Sequence, residues 1–434
     1  MDDARDDIER SVTRKLAWRL VGFAGVLYFF NWLDRVNVGF AALQMNQQLG
    51  FSATVYGWGA GLFFLSFAVF EIPSNLLLHR VGARIWIARI MITWGLVCMA
   101  CALIRGPVSF YVLRFLLGMA EAGFTPGMLL YLSRWFPARH RGRAFALLFA
   151  SPLLAPSIGG PISGWLLTAT NGMSGLPGWQ WMFIIEGIPT VLLGVVTLFY
   201  LPEHPRHASW LSPAERTWLE GTLEREHRAA PPVVHGGVAP FLADRRLWAL
   251  VAIYFFWSFS GYAIVLWLPL IIRGATSLTP FQIGLVNSLP FFCAIAGEIL
   301  VGRWSDRTGN RKGPIVVFAV LAAVGLVASA TIGASLLGLV VLCATAFCIW
   351  AQQPVFWTLP STYLGGRSAA SGLALVNMAA GVGGFIGPPV VGMVKDATDS
   401  YTAGLFFIGA MALVVAGIAF AMRIERSPVL AAAE

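Results

Sequence analysis

Apolar runs follow one another from about residue 20 to residue 423, broken by short stretches where arginine, proline and glycine collect. Each run approaches the roughly 20 residues that a helix rising about 1.5 Å per residue needs to cross the hydrocarbon layer. The pattern predicts spans at 20–44, 54–78, 84–104, 108–132, 143–168, 181–201, 247–272, 280–303, 314–334, 337–361, 370–394 and 401–423. The expected fold is therefore an all-α membrane protein with twelve transmembrane helices. One long polar stretch, 203–246, separates the spans six and six, which predicts a bundle over 1–202, a linker and a second bundle over 247–434. Pro205, Pro231, Pro232 and the Gly236-Gly237 pair suit a linker. Within it, Ser212-Pro213-Ala214-Glu215 reads as a capping box with proline at the first helical position, so a short amphipathic helix to about Arg228 is expected.

Composition agrees with lipid as the main solvent: 57% of residues are hydrophobic and only 12% charged, against about 25% charged in soluble domains. The net charge of +9 would point to nucleic acid in a soluble protein, so the placement of the basic residues decides its meaning. Of 30 lysines and arginines, the termini, the linker and the loops on their side hold all but five. Arg105, Arg273 and Lys395 fall on the opposite side, and Arg35 and Arg114 within spans. Basic loops mark the cytoplasmic side, so both termini are expected there, with no nucleic-acid partner; the lack of an N-x-S/T site suits a bacterial inner membrane. Cys98, Cys101, Cys293, Cys343 and Cys348 all fall inside predicted spans, and the C-x-x-C they include lacks a second pair or a histidine cluster. No metal site and no cofactor other than a coupling proton is expected. The acidic start MDDARDDIERSVTRK lacks the apolar core of a cleaved signal, so the first span is expected to stay.

The halves repeat. Glu71-Ile72, Asn75, His79, Arg80, Gly82 and Arg84 align with Glu298-Ile299, Gly302, Asp306, Arg307, Gly309 and Arg311 at an offset of 227 residues. The same offset carries Gly57 to Gly284 and Pro161 to Pro388. Transporters built from two such halves hold their substrate between them near the bilayer midplane.

The run Gly302-Arg303-Trp304-Ser305-Asp306-Arg307-Thr308-Gly309-Asn310-Arg311-Lys312 resembles the G-x-x-x-D-R-x-G-x-R-K loop of the major facilitator superfamily, between spans eight and nine. The first-half copy departs from it, with Asn75 for glycine and His79 for aspartate, which implies weaker charge contacts there. Three further segments look like the anion:cation symporter branch of that superfamily. They are Trp32-Leu33-Asp34-Arg35-Val36-Asn37, Arg114 to Gly123, and Gly178 to Pro189. The resemblance implies a monomeric two-bundle transporter of sugar acids, tartrate-like hydroxy acids or aromatic acids. It also implies gating roles for Asp306, Arg307, Arg311, Arg80 and Arg84.

Ionisable groups in the bilayer are costly, about 2.5–3.5 kcal/mol each at the helix centre on insertion scales, so the few present are candidates for function. Asp34 and Arg35 are adjacent and about 100° apart on the helix, so they face different neighbours. Asn31 and Asn37 extend the polar stripe. Arg114, Gly118 and Glu121 share one face of span four, and the glycine leaves a gap over which the guanidinium is expected to reach the carboxylate. Asp34 and Glu121 are the candidate proton carriers, and Arg35 and Arg114 the candidate anion ligands. Glu71 and Glu298 are expected to act in gate packing, and Glu186 in structure. His79 and His140 have no catalytic constellation around them. In the second half only Tyr262, Trp357 and Asn377 stand out, the last two at positions resembling substrate-side residues of sugar-acid carriers. Proton symport of an organic anion is the leading reading. The alternative is a drug or metabolite efflux antiporter, whose span-five signature G-x-x-x-G-P-x-x-G-G is incomplete here, with Pro156 and Trp165 replacing its first and last glycines. No nucleotide loop or nucleophile-base arrangement supports an enzyme.

Overall fold

The computed structural model describes residues 2–149, 151–229, 244–333, 335–363 and 369–422. Pro231, Pro232, Gly236, Gly237, Arg367, Arg423 and Arg426 lie outside them. Among the described residues, twelve helices are long and apolar enough to cross a membrane. In order they are Asp6–Leu49, Ala53–Val81, Ala83–Leu103, Pro107–Ser133, Ala138–Ala169, Gly178–Tyr200, Arg245–Ala275, Pro280–Thr308, Lys312–Ile332, Leu336–Pro360, Gly372–Thr398 and Tyr401–Ala421, hereafter spans one to twelve. The fold is all-α, two six-helix bundles related by the sequence repeat. The membrane side carrying the linker is called the linker face below, the other the far face.

The N-terminal tail is structured. Asp2–Leu16 is helical and runs through a wider turn, Ala17–Val21, into the first span. It buries Val12 and Leu16 beside Leu211 and Leu219 of the linker. The expected linker helix is present as Pro213–Ala229, and its capping box closes with Ser212 N–H donating to Glu215 (2.8 Å) and Glu215 N–H to the Ser212 hydroxyl (3.3 Å). Glu215 also accepts from Lys15 Nζ (2.7 Å) and Ser11 Oγ (2.7 Å), clasping the two amphipathic helices together.

Span four is broken, and the sequence explains where. In a continuous helix the ring of Pro126 would meet the carbonyl of residue 122. The chain instead ends one helical segment at Glu121, turns through Ala122 (ψ 132°) and Gly123 (φ +89°), and restarts at Phe124. The freed Ala122 carbonyl is not wasted, because the Ser74 hydroxyl donates to it at 2.6 Å and in turn accepts from Trp86 Nε1 at 3.0 Å. Glu121 thus stands at the last position of a helix held by a neighbouring span.

The repeat pairs meet across the interface of the halves. A Cβ at Gly57 would lie 2.6 Å from the Pro388 carbonyl oxygen, and one at Gly284 only 2.4 Å from that of Gly160 and 2.9 Å from Pro161 Cα. These are two copies of one crossing, span two on span eleven and span eight on span five. Gly39 in span one abuts the Leu266 carbonyl in span seven, and these residues are themselves related by the 227 offset. Hydrogen bonds reinforce the far-face half of this seam: Tyr56 Oη to Leu266 O (2.8 Å) and Trp267 Nε1 to Pro388 O (3.1 Å). At the far rim the Asp396 carboxylate accepts from the backbone N–H groups of Ala53 (3.0 Å) and Thr54 (2.7 Å), capping span two from the opposite half.

Candidate substrate and proton site

Span one supplies most of the site. Asp34 and Arg35 are both buried, and they do face different neighbours. Asp34 accepts from Trp94 Nε1 (2.8 Å), Thr190 Oγ1 (2.8 Å) and the Cys98 thiol (3.5 Å), all within the first bundle. Donors without a countercharge therefore hold this carboxylate. Three residues on, Asn37 donates to Glu186 (3.0 Å), which also accepts from Ser163 Oγ (2.6 Å), so Glu186 ties spans one, five and six.

Arg35 points the other way and forms an ion pair with Glu121 of span four. Its guanidinium is framed by the rings of Trp32 (4.8 Å to the centroid), Phe67 (5.1 Å) and Phe63 (5.3 Å), contacts worth about 0.5–2 kcal/mol each when desolvated. Tyr262 of span seven adjoins Arg35, stacks on Trp32 at 6.2 Å and packs on Phe64 at 4.2 Å. The pair is not fully satisfied. Arg35 Nε, Glu121 Oε2 and both polar atoms of the neighbouring Asn31 amide are buried without a hydrogen-bond partner. Natural interiors leave few such groups, and here they converge on one point.

The expected Arg114–Glu121 pair is not formed. Gly118 leaves no gap, since a Cβ there would lie 2.1 Å from the Phe63 carbonyl oxygen of span two. Span two fills the space over which the guanidinium was expected to lie. Arg114 turns instead to the Gly59 carbonyl (Nε, 3.4 Å) and the face of Phe63 (4.9 Å), leaving both terminal nitrogens buried and unpartnered. Glu71 is half-buried toward the linker-face end of span two.

Trp357 sits toward the linker face in a ring cluster with Tyr254 (4.9 Å) and Phe356 (5.6 Å), and Asn377 is exposed on span eleven. Neither touches the Arg35 group. Sequence reading passed over Asn287 and Gln352, buried in spans eight and ten with unpartnered carbonyl oxygens. The repeat offset explains why the second half looks so different: it pairs Arg35 with Tyr262, Asp34 with Gly261, Arg114 with Val341 and Glu121 with Cys348. One scaffold carries charge in one copy and neutral groups in the other.

At the linker face, Asp306 pairs with Arg311 at 2.6 Å, and Arg311 also donates to Ser305 Oγ at 3.0 Å, folding the signature loop on itself. Gly309 there takes a left-handed conformation (φ +65°). Arg307 and Arg80 are exposed and Arg84 half-buried. In the first-half copy, Glu203, just beyond span six, accepts from the N–H groups of Ala83 and Arg84 (both 3.1 Å) at the start of span three.

Twelve spans in two repeated halves, packed around a buried and incompletely satisfied ion pair, give a multi-pass membrane protein with the architecture of a solute transporter. Comparison with known proteins places it more narrowly. The family model of the Major Facilitator Superfamily matches residues 24–388, with a second match over 271–433. The chain belongs to that superfamily. It is 46% identical over 411 residues to an Agrobacterium vitis protein named "Putative tartrate transporter", covering 95% of this chain and 91% of that one. It is 40% identical to an Acinetobacter baumannii "Quinolone resistance transporter", with 94% of each chain covered. A solved bacterial homologue of the human lysosomal transporter Spinster, inward-facing and unoccupied, superposes with a TM-score of 0.77 at 17% identity over 92% of this chain and 95% of that one, a likeness of fold alone.

Proposed function

We propose that the protein imports a small carboxylate, a sugar acid, tartrate-like hydroxy acid or aromatic acid, together with protons, by alternating access. The reading rests on the Arg35–Glu121 pair with its unpartnered Arg35 Nε and Glu121 Oε2. While both groups are charged they neutralise one another. A proton on Glu121 removes its charge and leaves the Arg35 fork free for a carboxylate through two hydrogen bonds. Anion and proton thus enter the site together, and each favours the other's presence. Asn31 and Tyr262 stand next to that position to donate hydrogen bonds, and Arg114, farther toward the far face, adds positive charge along the approach. Asp34, held by neutral donors, is the second proton carrier in this scheme. The basic linker face is the cytoplasmic one, with both termini inside the cell and the signature loop acting at its gate. The tartrate-transporter name of the Agrobacterium relative supports a hydroxy-acid substrate.

Export of a drug or metabolite against protons is the second reading, favoured by the quinolone-resistance relative. Proteoliposomes separate the two. Concentrative uptake of tartrate or a sugar acid driven by an inward proton gradient supports import, and gradient-driven extrusion of a quinolone without acid uptake would replace it. Glu121→Gln should keep anion exchange while losing gradient-driven accumulation, since the amide resembles the protonated acid. Unchanged accumulation in that variant would remove Glu121 from the coupling.

A further inference from the structure

A cavity of about 510 Å³ opens at the linker face, between the N-terminal helix and the start of span five. Arg10, Arg14, Arg139 and Arg143 line it together with His140, and Asp6 and Glu9 are its carboxylates. Glu9 is already engaged by His140 (2.7 Å) and Arg139 (3.4 Å), and Arg10 faces Asp7 only at 4.0 Å across solvent. Arg14 and Arg143 have no ion-pair partner among the described residues. Four guanidiniums against two carboxylates leave the lining net positive. Ala17, Phe136, Ala144 and Leu147 complete the lining with apolar surface. Leu147 is half exposed, one helical turn beyond Arg143, while Trp18 projects from the adjacent turn at 80% exposure. Indole rings at such a level sit at the membrane interface.

We propose that this cavity binds a phosphate group, presented by an anionic phospholipid whose acyl chains continue over Leu147. Arginine forks match phosphate oxygens in pairs, a geometry that lysine does not offer, and basic pockets at the membrane boundary attract anionic headgroups. The mixed lining, guanidiniums beside apolar side chains, suits a molecule with a charged head and an apolar tail better than a free ion. None of this draws on the transported substrate, since the cavity lies in the first half at the membrane boundary.

Delipidated protein, titrated separately with short-chain phosphatidylglycerol, phosphatidylcholine and inorganic phosphate and read by native mass spectrometry, tests the assignment. Phosphatidylglycerol should be retained at least tenfold more tightly than phosphatidylcholine, and millimolar phosphate should compete with it. Arg14→Gln with Arg143→Gln should abolish that preference while leaving the melting temperature unchanged. Arg14→Lys with Arg143→Lys, which keeps the charge and guards against a folding artefact, should retain part of it. Phosphate binding without lipid retention would assign the site to a free phosphorylated anion and overturn the lipid source. Equal retention of both lipids, or full preference in the folded glutamine variant, would overturn the site itself.

Discussion

Gly284→Ala tests whether the close seam between the halves sets the balance between conformations. With spans five and eight in contact, the added methyl would lie 2.4 Å from the Gly160 carbonyl oxygen, 2.8 Å from its carbon and 2.9 Å from Pro161 Cα. All three are backbone atoms, which cannot rotate away. Ordinary contact at such a pair begins near 3.4 Å, so spans five and eight must separate by about 1 Å or the helices must deform, an overpacking that costs about 1–3 kcal/mol. The penalty falls only on the state in which these spans touch. The equilibrium should therefore move about 5- to 150-fold toward the far-open state. Spin labels on cysteines placed at the exposed far-face residues Met173 and Ser277 would report this as a longer distance population. Gly57→Ala, the repeat-related change 2.6 Å from the Pro388 oxygen, should act in the same direction, whereas Gly221→Ala, with open space around it, should leave the distances alone. A folded Gly284→Ala protein with the wild-type distance distribution would refute the steric argument.

Arg35→Ala should strand a buried Glu121 carboxylate and cost about 3–5 kcal/mol, seen as a lower melting temperature that Arg35→Ala combined with Glu121→Gln partly restores; no rescue would argue against the pair. Arg35→Lys should weaken acid binding by calorimetry although charge is kept, and wild-type affinity in that variant would exclude bidentate recognition. Ser74→Ala should remove the donor to the Ala122 carbonyl and destabilise by about 1–3 kcal/mol, and an unchanged melting temperature would count against the break in span four being braced there. The clasp at Glu215 has a defined acid limit: burial raises its pKa, but Lys15, the Ser212 N–H and Ser11 outweigh this and hold it at about 2, below its ordinary 4.5. Because the folded value is depressed, the stabilisation is complete above pH 4.5 and disappears between there and about pH 2. Lys15 is more than a third exposed, so the contribution is about 1 kcal/mol. Amide exchange in Pro213–Ala229, corrected for intrinsic rates, should show protection falling over that window and already reduced in Lys15→Ala; constant protection to pH 2 would contradict it.

Span positions, the repeat, the linker helix and its capping box were legible because each depends on residue spacing along one chain segment. The divergent directions of Asp34 and Arg35 were legible for the same reason, since helical rotation separates adjacent side chains. Glu121's partner was not. Arg114 is correctly spaced from Glu121 on a bare helix, but the rotation of span two, which sets Phe63 against Gly118, is decided between helices and leaves no local signal. Glu203 was missed likewise: it caps the start of span three from more than a hundred residues away, and only the fold brings them together. The clasped N-terminal helix did carry a signal, since Ile8, Val12, Leu16 and Leu20 recur at helical spacing ahead of the first span.

The Asp396 cap on span two has an energetic character unlike the rest of the seam. The carboxylate and the two amides it holds are exposed at the far rim, so under the alternating access proposed above water replaces each bond at once when the halves part. A charge at an exposed helix end is worth only about 0.3–1 kcal/mol. The bonds from Tyr56 and Trp267, by contrast, are buried, and breaking them stays costly until water reaches them. Opening that starts at the rim therefore has a shallow first step and a steeper second one. Ionic strength should alter how often the rim frays while leaving the depth of the closed state nearly untouched.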